Sequence, residues 1–198
     1  TLEITALAVG LGLLIGLVAS LAQLSKSPLL RLPAKVYVDC IRGTPLLIQI
    51  FIIYFALPNI IGHRIDPFIA AVTACSLNSG AYIAEIFRGG IQSIPKGQYE
   101  GAKVLGFTYV QTMRKIILPQ VIKRVLPPLA NETINLLKDT SLVYILAMND
   151  VLRITRGIVQ RDFDTSAFIV AAIFYLIMTF VLTNIFNYLE KRYAVYDE

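Results

Sequence analysis

The stretch "TSAFIVAAIFYLIMTFVLTNIFNYL", residues 165–189, holds no Asp, Glu, Lys or Arg. A helix crossing a bilayer needs ~20 consecutive, mostly apolar residues. This run is long enough, and its reading decides the fold. Residues 45–62 form a second uncharged run. The whole chain of 198 residues is 56% hydrophobic and 16% charged. A soluble domain has about 45–50% apolar and about 25% charged residues, so the excess points to an integral membrane protein. A soluble bundle with a greasy core does not explain runs of this length.

Working outward, the sequence predicts an all-α integral membrane fold with five transmembrane helices, an amphipathic interfacial helix and a patterned polar segment. The spans fall at about 1–24, 45–61, 67–88, 120–146 and 165–189, within one transmembrane domain covering 1–198. Gly10, Gly12 and Gly16 in the first span predict close helix approach. The first span is too long for a signal peptide, has no basic start and no following cleavage site. Because the chain opens on Thr1 inside an apolar run, the numbering is expected to start within a longer protein or after a short leader. Residues 29–42 predict a helix lying at the interface, with Leu29, Leu32, Val36 and Ile41 at nearly helical spacing.

Of the 18 Lys and Arg residues, 13 lie in segments 25–44, 88–124 and 190–198. The positive-inside rule places those segments in the cytoplasm. The N-terminus is then expected outside and the C-terminus inside. The net charge of +5 is distributed by side, so it does not indicate nucleic acid. Cys40 and Cys75 fit no metal-type spacing and read as unpaired thiols. The only histidine, His63, lies in a connection, and no H-E-x-x-H or G-x-x-x-x-G-K-[ST] run occurs. An intramembrane enzyme and an intrinsic ATPase are both disfavoured. No metal site is expected.

Segment 95–119 contains "EGAKVLGFTYVQTMRKIILP" (100–119). Pro95 should stop the preceding helix. Gly106 can end a short helix in the left-handed conformation, and Thr108 can cap a second one. Tyr99, Ala102, Leu105, Val110, Met113 and Ile117 fall at helical steps and predict one apolar face on a helix-turn-helix knuckle. The residues alone leave two uses open: an amphipathic cytoplasmic loop or a docking site.

Glu100, Ala102, Gly106, Ile116, Leu118 and Pro119 resemble the EAA motif of membrane subunits of ATP-binding cassette importers. Gly101 departs from it, standing where alanine is usual, and should loosen the helix slightly. "RGTPLLIQIFIIYFALP" (42–58), "SGAYIAEIFRGGIQSIPKGQYEGAKVLG" (79–106) and "NLLKDTSL" (135–142) resemble the branch of that family for polar amino acids. The resemblance implies a permease in a bacterial inner membrane, paired with a second copy and attached to two cytoplasmic ATPase subunits. Those partners would bind ATP and Mg; this chain would carry no cofactor. Glu100, Gly101, Ala102, Gly106, Arg114 and Pro119 would form the coupling helix seated in the ATPase. An external binding protein would deliver the amino acid.

Polar residues inside spans are costly and default to functional sites. Asn78, Ser79, Tyr82, Asn131, Glu132 and Asn135 are the candidates for a midplane substrate pocket. Asn78 and Tyr82 share a face, as do Asn131 and Asn135. Amides can satisfy both ends of a zwitterion. A charged Glu132 would favour arginine, lysine or histidine, with glutamine as the alternative. These residues could instead be hydrogen-bonding glue between helices, as in a channel or structural bundle. Lys138, Asp139 and Ser141 suggest a break in the fourth span and a possible outer gate. Glu85 and Arg88 predict a local ion pair. The outer connection 147–164, with Asp150, Asp162 and Asp164 beside Arg153, Arg156 and Arg161, could dock the binding protein or simply be solvated.

Overall fold

The computed structural model describes residues 1–193, so the expectation for the C-terminal end falls in part on 194–198, outside the described residues. Among the described residues the chain is all helical. The elements are α1 (Leu2–Leu24), α2 (Pro28–Arg42), α3 (Leu46–Phe51), α4 (Leu57–Ile61), α5 (Pro67–Gln92), α6 (Lys96–Val104), α7 (Tyr109–Thr112), α8 (Leu118–Asp139), α9 (Val151–Asp162) and α10 (Ala167–Tyr193). Three are long and apolar enough to cross a membrane: α1, α5 and α10. A fourth crossing is possible if α2 and Leu46–Ile61 form one bent span, but these meet at 107°.

The core is the pair α1 and α5, the most extensive helix contact in the chain. Ala8, Gly12, Gly16 and Ala19 recur at steps of three and four on the buried face of α1. They meet Ala70, Ala71, Ala74, Ala81 and Ala84 of α5. Lipid is as apolar as these side chains, so close packing has to hold the pair. Gly12 and Gly16 act as expected. Gly10 does not: it is exposed, and an added Cβ there would meet nothing within 4 Å. Two residues turn an α-helix by ~200°, so Gly10 points away from the face that Gly12 and Gly16 define.

Prolines shape the ends and breaks. Asp66 caps α5 by accepting from the Phe68 and Ile69 amides at 2.9 and 3.2 Å, with Pro67 in the first turn. A π-helical turn, Ile52–Ala56, precedes Pro58, and another, Met113–Ile117, precedes Pro119. Proline lacks an N–H and clashes with the carbonyl four residues back, and a π turn relieves that clash. Pro119 therefore lies in the first turn of α8, one residue beyond its start at Leu118. The third span runs past residue 88 to Gln92. The fourth breaks as "LKDTSL" suggested: α8 ends at Asp139 and a 3-10 turn, Thr140–Leu146, follows.

α2 forms over almost the expected range, Pro28–Arg42 against 29–42. Its stripe of Leu29, Leu32 and Val36 stays exposed, while Val38, Tyr37 and Ile41 face the protein. That arrangement suits a helix with lipid on one side and protein on the other.

The knuckle forms by the expected chemistry. Gly106 has φ 76°. Its N–H bonds to the Lys103 carbonyl at 3.0 Å, and the Phe107 N–H bonds to the Ala102 carbonyl at 3.0 Å. This is the paired 5→2 and 6→1 closure of a Schellman motif. Thr108 and Gln111 complete a reciprocal capping box over α7. The single apolar face is corrected. Ala102 and Ile117 are buried, but Leu105 and Val110 are exposed. The left-handed turn at Gly106 resets the helical phase, so a stripe drawn through it does not continue.

Gly101 sits exposed in α6, where an added Cβ would meet nothing within 4 Å. Gly101→Ala should therefore stabilise α6 by about 0.5–1 kcal/mol. The check is the thermal midpoint of the purified chain, expected to rise by about 2–4 °C per kcal/mol. A fall would mean that the site is crowded.

Candidate functional site

The small-residue face of α5 is taken up by α1, which leaves Asn78 and Tyr82, four residues apart, on a neighbouring stripe. α8 packs across α5, and the turn from α2 into α3 closes the third side. Between them lies a cavity of about 450 Å³, lined by Asn78, Tyr82, Glu132, Asn135, Lys138 and Asp139, with Thr44, Pro45 and Leu46 at its edge. Four of the six pocket residues expected from the sequence thus share one cavity. Lys138 and Asp139 join them, although adjacent helix residues diverge by ~100°. They lie at the end of α8, where the helix gives way to the 3-10 turn.

The other two expected residues do not line it. Ser79 is fully buried beneath α1, where a Cβ on Gly12 would stand 3.2 Å from its Oγ. Asn131 lines a separate cavity of about 260 Å³ with Thr183, Asn187 and Glu190 of α10. Ser141 is half-buried and outside the lining of the main cavity.

Gln49 was missed by sequence reasoning. It is buried, and its Nε2 donates to the Ile41 carbonyl at 2.8 Å and to the Thr44 carbonyl and Oγ1 at 3.0 Å each. Its Oε1 accepts from Asn78 Nδ2 at 3.0 Å. Asn78 therefore keeps its carbonyl oxygen and its second N–H for other partners. The signal was available: a glutamine inside an uncharged run is as costly as the asparagines that were singled out.

The cavity combines two carboxylates, one ammonium, two amides and a phenol. This donor set can bind both ends of a zwitterion.

The sequence matches, over residues 9–195, the family described as "Binding-protein-dependent transport system inner membrane component". The chain belongs to this family. The permease is 45% identical to the probable amino-acid ABC transporter permease protein YckA of Bacillus subtilis (strain 168), over 99% of this chain and 87% of that protein. It is 42% identical to the glutamine transport system permease protein GlnP of Escherichia coli (strain K12), over 98% of this chain and 90% of that one. A solved structure described as an amino acid ABC transporter with histidines superposes with a TM-score of 0.89 at 39% identity. The match covers 96% of this chain and 89% of that one.

In the permease, Glu100, Gly101 and Arg114 are exposed on the knuckle, and Ala102 is buried beneath it. Val104, Leu105, Tyr109 and Val110 are more than two-thirds exposed around Gly106. Connection 147–164 is less of a charged surface than its sequence suggested. Asp150 is buried and caps α9 through the Leu152 and Arg153 amides at 3.2 and 2.9 Å. Arg156 stacks over Tyr144, 4.8 Å from the ring centre. Arg161 and Asp162 pair with each other at 2.7 Å. The hydrogen bond from Arg161 holds the Asp162 carboxyl below its ordinary range, and bonds from the Ser166 backbone and hydroxyl do so for Asp164.

Proposed function

We infer that this permease is the transmembrane subunit of an ATP-driven importer of polar amino acids, working by alternating access. The observation that carries the reading is the cavity in which Glu132 and Asp139 outnumber Lys138. Two carboxylates brought together in one lining favour a cationic side chain between them, so basic amino acids are preferred. Glutamine is the second reading, favoured by the likeness to a glutamine permease.

Five spans fit this function. Besides α1, α5 and α10, the run Leu46–Ile61 reaches about 24 Å at 1.5 Å per residue, and α8 supplies the fifth. α8 carries its polar residues toward the cavities, so its composition understates its ability to span. The basic segments lie in the cytoplasm, the N-terminus outside. The knuckle is the coupling segment, seated in a separate ATPase that binds ATP and Mg. A second copy completes the pore, and a binding protein delivers the amino acid from outside.

Glu132→Gln tests the substrate class. Arginine uptake by the complex reconstituted in vesicles should fall by about tenfold, the equivalent of about 1.4 kcal/mol, while glutamine uptake changes little. Equal, unchanged uptake of both would sink the cavity assignment.

A further inference from the structure

The geometry points to a gate built from Arg42, Tyr82 and Glu85, which closes the main cavity off from a second cavity through which the amino acid leaves. The inference rests on reading the first cavity as the substrate site.

The second cavity has a volume of about 420 Å³ and is lined by Glu85, Gly89, Ser93 and Arg124. It lies on the same α5 stripe as the first, since residues 78, 82, 85, 89 and 93 follow at steps of three and four. Asn78 and Tyr82 belong to the first cavity, Glu85 and Gly89 to the second. The boundary between them therefore falls at Tyr82–Glu85.

Arg42, at the end of α2, occupies that boundary. Its guanidinium lies over the Tyr82 ring, 5.4 Å from the centre, and its Nη1 stands 3.5 Å from Glu85 Oε2. One side chain thus bridges a residue of each cavity. Glu85 is also held by Arg88, whose Nε and Nη2 donate at 2.8 and 2.6 Å, and Arg88 Nη1 donates to Gln92 at 2.7 Å. The two ion pairs of Glu85 are unequal. Arg88 keeps Glu85 in place through two short bonds from its own helix, whereas Arg42 reaches it from another helix through one long contact. A partly exposed pair of that length is easily broken. Arg42 is therefore the moving part and Glu85 the fixed latch. Gly43 separates Arg42 from Thr44 on the rim of the first cavity, so a shift at that rim carries Arg42 with it. At the far end Arg124 clasps the Ser93 carbonyl and hydroxyl.

The test uses the full chain in membrane vesicles of defined sidedness, with Cys40→Ser and Cys75→Ala removing the native thiols. Leu46→Cys, in the lining of the first cavity, reports access to a membrane-impermeant maleimide. Arg42→Ala and Glu85→Ala should each speed labelling from the side carrying the basic segment by roughly fivefold, as expected for a weak pair. Labelling from the opposite side should not change. The double variant should equal Arg42→Ala, which already removes the contacts to both Glu85 and Tyr82. Unchanged labelling from the basic side overturns the gate, and so does an equal rise from both sides, which would mean loosened packing. Arg42→Gln serves as the milder variant should the alanine form fail to insert, with the same outcomes. Saturating arginine or glutamine should slow labelling in the chain with Arg42 and Glu85 intact. If neither does, the substrate reading of the cavity fails, while the comparison of sides still decides whether the pair is a barrier.

Discussion

Gly16→Ala is expected to destabilise the folded chain by about 1–3 kcal/mol, the usual cost of overpacking a filled site. Gly10→Ala, less than two turns away on the same helix, should be neutral or slightly stabilising. A Cβ on Gly16 would stand 2.6 and 2.8 Å from Cγ2 and Cβ of Ile83, and 3.0 Å from the Ala84 amide nitrogen. None of these atoms is the free end of a flexible side chain, so the helices have to separate. The fit is reciprocal. A Cβ on Gly80 would meet Ile15 at 2.8 Å and the Tyr37 hydroxyl at 3.1 Å. Each helix thus offers a glycine to a branched side chain of the other. In lipid no hydrophobic force pulls two apolar helices together, so separation loses the dispersion contacts that hold the pair. Gly16→Leu should go further and yield no monodisperse protein. The measurement is the thermal midpoint in detergent, which should drop by about 2–4 °C per kcal/mol for a chain of this size. Equal midpoints for Gly16→Ala and Gly10→Ala would refute this account of the core.

The same contrast explains what the sequence could and could not tell. Gly10, Gly12 and Gly16 are alike as letters. Only the phase of α1 against α5 separates them, and phase depends on the partner helix. Local chemistry was more legible: Gly106, Thr108, Pro95 and the break after Asp139 each act within a few residues of their own position, and each lies where expected. The apolar stripe across Gly106 failed because a left-handed residue interrupts periodicity. Glu85 and Arg88 paired as their spacing of three predicts, but the approach of Arg42 from α2 has no local signal. In the cavity, Asn78, Tyr82, Glu132 and Asn135 were legible as costly polar residues in spans. Asn131 met the same criterion yet faces α10 across a separate cavity, which its own sequence neighbourhood does not signal.

Gln49→Glu is expected to weaken amino-acid binding by tenfold or more, although Gln49 does not line the cavity. Its Nε2 serves the Ile41 and Thr44 carbonyls at the end of α2, where a helix leaves carbonyls without partners. Its Oε1 takes the amide of Asn78. One side chain therefore ties the α2–α3 turn to the wall of the cavity. A carboxylate could still accept from Asn78, but it would turn lone pairs toward two carbonyls. Gln49→Leu removes the bonds without that repulsion, leaving buried polar groups unpaired at about 1–3 kcal/mol each. In Gln49→Leu Asn78 loses the partner that orients it, and in both variants the turn that positions Thr44 and Arg42 loosens. The effect should fall on whatever the cavity holds, so KM for arginine and glutamine should rise together. That separates Gln49 from Glu132, whose loss should change the ratio between the two. The comparison requires protein that still folds, checked by its elution and thermal midpoint. Unchanged KM values in both folded variants would mean that Asn78 holds its position without help, and that the turn is a structural joint only.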